Sequence, residues 1–65
     1  MITLTDKIAS ITQYQSLLSV NENVMVFQLR HHQLSLFGQN LKVIYFSKEE
    51  VWIEGKIMQV IFDEN

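Results

Sequence analysis

The chain has 65 residues, 48% of them hydrophobic, a formal charge of −2 and no cysteine, so it forms one domain at most, residues 1–65, and has no disulfides to stabilise it. Its five basic residues are scattered along the chain, which disfavours binding to nucleic acid or to an anionic membrane. The longest uncharged run, residues 8–21, is too short to cross a bilayer, and the first residues carry no signal-peptide pattern, so we expect a cytoplasmic protein.

The N-terminal third predicts a short strand followed by a segment with two interpretations. Ile2 and Leu4 alternate with threonines before a polar turn, which is typical of a short strand. In residues 8–20 the apolar side chains recur at spacings of three and four, which fits one face of an amphipathic helix. Two strands, residues 8–14 and 17–20, compete with that helix. Periodicity alone slightly favours the helix.

The middle of the chain predicts an interior strand. Asn21 and Asn23 indicate a turn, because asparagine tolerates positive φ and bonds to its own backbone. Residues 24–30 then alternate between two faces that are both largely apolar, which is typical of a central strand. Residues 30–33 form the next turn.

A 17-residue repeat fills most of the remaining chain. Residues 34–45 and 51–62 share the pattern apolar-x-apolar-x-Gly-x-x-apolar-x-Val-Ile-aromatic, with Gly38 and Gly55 at equivalent places. Alternation with period two on both sides of a glycine predicts a strand whose backbone is interrupted, by a bulge or a positive φ, where a side chain would obstruct it. In the second copy the apolar phase changes across the glycine, which also indicates a bulge within residues 55–58.

Candidate catalytic and ligand-binding patterns are weak throughout. His31 and His32 are neighbours, so on an extended chain they point to opposite faces and do not readily hold one metal ion. Glu49 and Glu50 are neighbours too and are expected to be solvated loop charges. The sequence around Gly55 lacks the other residues of a phosphate-binding loop. We therefore expect no enzyme and no cofactor.

Apolar residues of the repeats are the candidate interface. Tyr45 and Trp52 are either packed in a core or interface or exposed as anchors for a partner, and the sequence leaves both open. Ile57, Val60 and Phe62 lie in a terminal run with no proline and few charges, which is little protected against pairing with another chain. We expect self-association or docking onto a partner through an edge strand within residues 34–46 or 51–62.

Four segments in order carry a family resemblance: Ile11-x-x-Tyr14-x-x-Leu17-Leu18, residues 24–29, Leu34-x-Leu36-x-Gly38-x-Asn40-Leu41-x-Val43, and Glu50-Val51-x-Ile53-x-Gly55-Lys56-Ile57. Across residues 2–62 the chain resembles the YabP/YqfC family of sporulation proteins, and within it most closely the YqfC branch. Residues 34–62 are the most specific part of the resemblance.

The resemblance implies an all-β domain, which favours strands over the helix in residues 8–20. The expected fold is an antiparallel meander of about six short strands that closes into a compact sandwich or half-barrel, with glycine-centred bulges at Gly38 and Gly55. It also implies a non-enzymatic assembly or adaptor module for the spore envelope (coat or cortex), made in the mother cell, with no catalytic residue or cofactor.

Partners follow from the same resemblance. An integral membrane protein encoded beside the gene is the expected partner, and it would hold the chain at the forespore membrane surface. A homo-oligomer formed through an edge strand is the other expected assembly. The alternative function is a small-molecule-binding or regulatory β domain, whose ligand would lie between the sheet faces.

Overall fold

Six antiparallel strands form one sheet in the computed structural model, which describes residues 1–64. They are β1 (Ile2–Leu4), β2 (Ile8–Thr12), β3 (Ser16–Val20), β4 (Val24–Gln28), β5 (His32–Phe46) and β6 (Glu50–Glu64). Their order in the sheet is β1-β2-β6-β5-β4-β3, so β3 to β6 form a meander and the β1-β2 hairpin joins it beside β6. The predicted all-β antiparallel fold is confirmed, and the sheet remains open at its edges.

Each copy of the sequence repeat forms one long strand rather than two short ones, and β5 and β6 each contain 15 residues. Both strands run through two halves of the sheet, which have different neighbouring strands. The first half-sheet contains β3, β4, residues 32–38 of β5 and residues 57–64 of β6. The second half-sheet contains β1, β2, residues 42–46 of β5 and residues 50–54 of β6. The β5-β6 ribbon therefore connects the halves, and its register is irregular between them.

The glycine-centred bulges predicted from the repeat are present where the halves meet. The register of β5 against β6 shifts next to Gly38, where Met58 has no partner, and again between residues 39 and 42, opposite Gly55. Gly55 has a φ of 139° and Asn40 a φ of 54°. A Cβ on Gly38 would overlap the Lys56 carbonyl oxygen, and one on Gly55 would lie 2.7 Å from the Asn40 carbonyl oxygen. Close backbone approach thus explains both glycines.

The helix favoured by the periodicity of residues 8–20 is wrong, because this segment forms β2 and β3. These two strands do not pair with each other. β2 pairs with β6 and β3 pairs with β4, so they belong to different half-sheets. Gln13, with a φ of 59°, begins the corner that carries the chain from one half-sheet to the other.

Both half-sheets contribute to one core. Its fully or almost fully buried side chains are Ala9, Ile11, Met25, Phe27, Leu34, Leu36, Leu41, Val51 and Ile53. These core side chains come from both half-sheets and are shielded from water, so the inner face of each half-sheet is covered by the other. β4 lies between β3 and β5, which confirms the predicted interior strand. Residues 1–64 include no helix that could span a membrane.

Candidate functional site

An exposed aromatic pair lies on the outer face of the second half-sheet. Tyr45 on β5 is opposite Trp52 on β6, and their rings are 5.2 Å apart at an angle of 45°. The neighbours of Trp52 along the strand, Val51 and Ile53, are buried in the core, so Trp52 points outward. Tyr45 is 46% exposed and Trp52 40%. Neither ring is therefore packed in the core of the domain, and both are accessible to a partner.

Small polar residues continue the row beyond Trp52 across the sheet. Ser10 of β2 is opposite Trp52, and Thr3 of β1 is opposite Ser10, so the four side chains form one row across four strands. We call Thr3, Ser10, Tyr45 and Trp52 the aromatic face. A serine beside the indole is too short to cover it, and the ring stays accessible to another molecule.

The second candidate surface is the unpaired side of β6 in the first half-sheet, residues 57–64, which we call the open β6 edge. Within the described chain these residues pair only with β5. The β4-β5 hairpin closes with a hydrogen bond from the Leu29 N–H to the His32 carbonyl oxygen (2.8 Å), so even-numbered residues of β5 bond to β4 and odd-numbered ones to β6. In this half-sheet the odd-numbered residues of β5 lie opposite odd-numbered residues of β6 and bond to them. The N–H and C=O groups of the even-numbered residues Val60 and Phe62 therefore face the open side.

The three predicted interface residues on this edge differ in exposure. Ile57 and Val60 are partly buried and pack against the core. Phe62 is opposite the buried Leu34, on the core side of the sheet, yet it is 53% exposed because no further strand covers it. Met58, 61% exposed at the bulge, is an exposed residue that the sequence did not single out. The change in apolar phase across residues 55–58 is the feature of the sequence that could have indicated the exposure of Met58.

The aromatic face and the open β6 edge are separate surfaces. Trp52 lies on the outer face of the second half-sheet, whereas Phe62 lies on the core side of the first. The sequence grouped Tyr45 and Trp52 with Ile57, Val60 and Phe62, but the structure places the first two on the aromatic face and the other three along the open β6 edge. One molecule can therefore use the two surfaces at the same time.

Tyr14 is a structural residue that the sequence did not assign to a role. It lies at the corner between β2 and β3, and its hydroxyl donates a hydrogen bond to the Ser47 carbonyl oxygen in the β5-β6 turn. Its ring packs on Phe27 (6.1 Å, 78°) and on Phe46 (6.4 Å, 46°). The corner is thus attached to both half-sheets and to the β5-β6 turn, which lies next to the strand positions of the aromatic pair.

Polar groups are distributed over the outside of the domain. Among residues 1–64 no polar or charged side chain is fully buried. His31 and His32 line an open depression of about 440 Å³ together with Met1 and Arg30. Another open depression, of about 550 Å³, borders Tyr45 and the β5-β6 turn. In the described part of the chain no three His, Cys, Asp or Glu side chains cluster closely enough to hold a metal ion.

In comparisons with known proteins, the chain matches no family model, no curated protein and no solved structure.

Proposed function

We propose that the chain is a non-enzymatic assembly or adaptor module that binds a partner protein through the aromatic face. Its cellular context in this proposal is assembly of the spore envelope in the mother cell, which follows from the resemblance to the YabP/YqfC family. The partner proposed is an integral membrane protein encoded beside the gene. Through it the domain would be held at the forespore membrane surface.

The observation that carries the binding role is the exposure of the Tyr45–Trp52 pair. The rings contact each other but lie outside the core, in a row whose other members are Ser10 and Thr3. Tryptophan and tyrosine are the residues most enriched where truncation weakens a protein interface. Leaving two such rings in water is unfavourable for an isolated domain, and a partner that covers them removes that cost.

The ligand-binding alternative has less support. A small molecule between the sheet faces would need an apolar cavity there, with a few polar groups directed into it. That space is occupied by core side chains such as Phe27, Ile11 and Leu34, which are fully buried. The two depressions described above lie outside the core and are open to solvent.

The proposal can be tested in a sporulating host that carries the gene and the adjacent membrane-protein gene. Deletion of the gene should lower the number of heat-resistant spores, and the wild-type chain should be recovered with membranes only when the membrane protein is present. Trp52→Ser should abolish this recovery and fail to restore spore number. Tyr45→Ser should act in the same direction.

Leu18→Ser is the matched control, because Leu18 is also a large exposed apolar residue (52%) but lies on β3 in the first half-sheet. It should bind membranes like the wild type. Circular dichroism of each variant verifies that it is folded. Membrane recovery that is independent of the membrane protein, or a spore number unchanged by the deletion, would overturn the proposal.

A further inference from the structure

Each half-sheet has two edges, and three of these four edges carry features that discourage pairing with another chain. β1 has only three residues. β3 contains a bulge between Leu17 and Ser19, and residues 42–46 of β5 contain one between Val43 and Tyr45. Short strands and bulges are the usual protection of exposed edges. The open β6 edge has neither in residues 59–64, which are paired in uninterrupted register with β5.

We propose that two copies of the chain associate through their open β6 edges, antiparallel, with a twofold axis at Ile61. The result is a continuous sheet in which the first half-sheets of two molecules are joined. This association uses a different surface from the aromatic face and does not depend on the partner proposed above.

Symmetry restricts the register of such a pair. Residues opposite each other in a sheet point to the same face, and a twofold axis perpendicular to the sheet preserves the face of every residue. Even-numbered residues of β6 must therefore meet even-numbered residues of the second copy. This excludes half of all registers.

Backbone groups and side chains select one register from the remainder. With Ile61 opposite its own copy, Val60 meets Phe62 of the second copy, and both residues present their N–H and C=O groups to the open side. These pairs form four hydrogen bonds across the axis. The exposed Phe62 ring is then covered by Val60 of the second copy on the core side. The two Ile61 side chains meet on the outer face as a non-hydrogen-bonded pair, the closer of the two pair types.

The charges on β6 favour the antiparallel arrangement. Lys56 precedes the paired segment, and Asp63 and Glu64 end it. Antiparallel pairing directs the acidic end of each strand toward the basic end of the other and separates the two acidic ends. Parallel pairing would place Asp63 against Asp63 of the second copy, which is destabilising. In the proposed register Gln59 is opposite Asp63 of the second copy.

Two variants with the same added charge test the register. Ile61→Lys puts two lysines opposite each other at the axis and removes the Ile61–Ile61 contact, and we expect it to weaken self-association roughly twofold to thirtyfold. Gln59→Lys lies on the same face of the same strand, but there the new lysine of each copy is opposite Asp63 of the other copy. The dimer then contains two pairs of opposite charge, and association should tighten roughly twofold to thirtyfold. Because both variants change the net charge equally, opposite effects cannot come from overall repulsion.

Sedimentation equilibrium from about 10 µM to about 1 mM suits an edge contact of this small size. An equimolar mixture of Ile61→Lys and Ile61→Glu should recover association, because the axis places opposite charges together. If Ile61→Lys fails to fold, a synthetic chain with an N-methylated Phe62 amide removes one open-edge donor and leaves the bonds to β5 intact. A wild type that is monomeric over the whole range, or equal effects of the two lysine variants, would overturn the proposal.

Discussion

Substitution of Gly38 by alanine tests whether the bend of the β5-β6 ribbon requires close backbone contact. In an ordinary strand this change is favourable, since alanine loses less conformational entropy on folding than glycine, by roughly 0.4–1 kcal/mol. At Gly38 the new Cβ would overlap the Lys56 carbonyl oxygen and would lie 2.9 Å from Cδ2 of Leu41. Because the carbonyl belongs to the backbone of β6, the two strands must separate at this point to admit it.

The expected cost follows from two effects. Overpacking against Leu41, which is only 5% exposed, costs about 1–3 kcal/mol. Separation of the strands weakens a backbone hydrogen bond, worth about 1 kcal/mol. After subtraction of the entropic gain, Gly38→Ala should lower the free energy of unfolding by about 1–4 kcal/mol. For a chain of this length the total is roughly 3–10 kcal/mol, so the loss is a large part of it.

Urea unfolding followed by circular dichroism measures this loss. With an m value of about 1 kcal/mol per molar urea for a small domain, the midpoint should fall by about 1–4 M. Gln39→Ala is the matched control, because Gln39 is the exposed neighbour on the same strand and its loss should change stability by less than about 0.5 kcal/mol. A Gly38→Ala protein as stable as the wild type would refute the close approach of the two strands.

Three smaller perturbations can also be followed by circular dichroism, two by urea unfolding and one by thermal unfolding. Tyr14→Phe removes the hydrogen bond to the Ser47 carbonyl oxygen and should lower the free energy of unfolding by about 1 kcal/mol. Tyr45→Phe, on an exposed ring, should leave it almost unchanged. Equal losses for the two variants would contradict the role of Tyr14 at the corner. Asn40→Gly should be neutral or stabilising and Asn40→Ala destabilising by about 1 kcal/mol, because φ is 54° there, and the reverse order would contradict that conformation. Zinc should leave the melting temperature unchanged, and a stoichiometric rise that disappears in His31→Ala would contradict the expectation of no metal.

The repeat was the part of the sequence that predicted structure best. Alternation and two equivalent glycines depend only on local geometry: a strand exposes alternate faces, and a close backbone approach excludes a side chain. Gly38 and Gly55 could therefore be assigned to bulges before any partner strand was known. That each copy would remain one long strand was not predictable, because the hydrogen bonds that continue across the bend come from the other copy.

The helical spacing of residues 8–20 has a physical explanation in the strands. The alternating buried residues of β2 are Ala9 and Ile11, and alanine is too small to mark an apolar face clearly. Gln13 adopts positive φ at the corner, and Leu18 occupies the bulge of β3. Each irregularity shifts the phase of the apolar residues. The shifted strand pattern resembles the spacing of a helix, and the sequence alone cannot separate the two.

The candidate surfaces were only partly predictable for a related reason. Parity along β6 separates Trp52 from its neighbours Val51 and Ile53, so its outward direction follows from the sequence once the segment is known to be a strand. The exposure of Phe62 does not follow from parity, since it shares a face with core residues. It depends on where the sheet ends, which is set by strand order.

The placement of β2 beside β6 has a consequence for the rate at which the chain folds. The hairpins from β3 to β6 join neighbours in sequence, whereas β2 joins residues 8–12 to residues 50–54. Closing so long a loop costs entropy before any contact compensates for it, and such non-local pairing slows folding. We expect the meander to form first and the N-terminal hairpin to dock last. Substitutions in β2, such as Ile11→Val, should then accelerate unfolding and leave the refolding rate nearly unchanged in stopped-flow experiments.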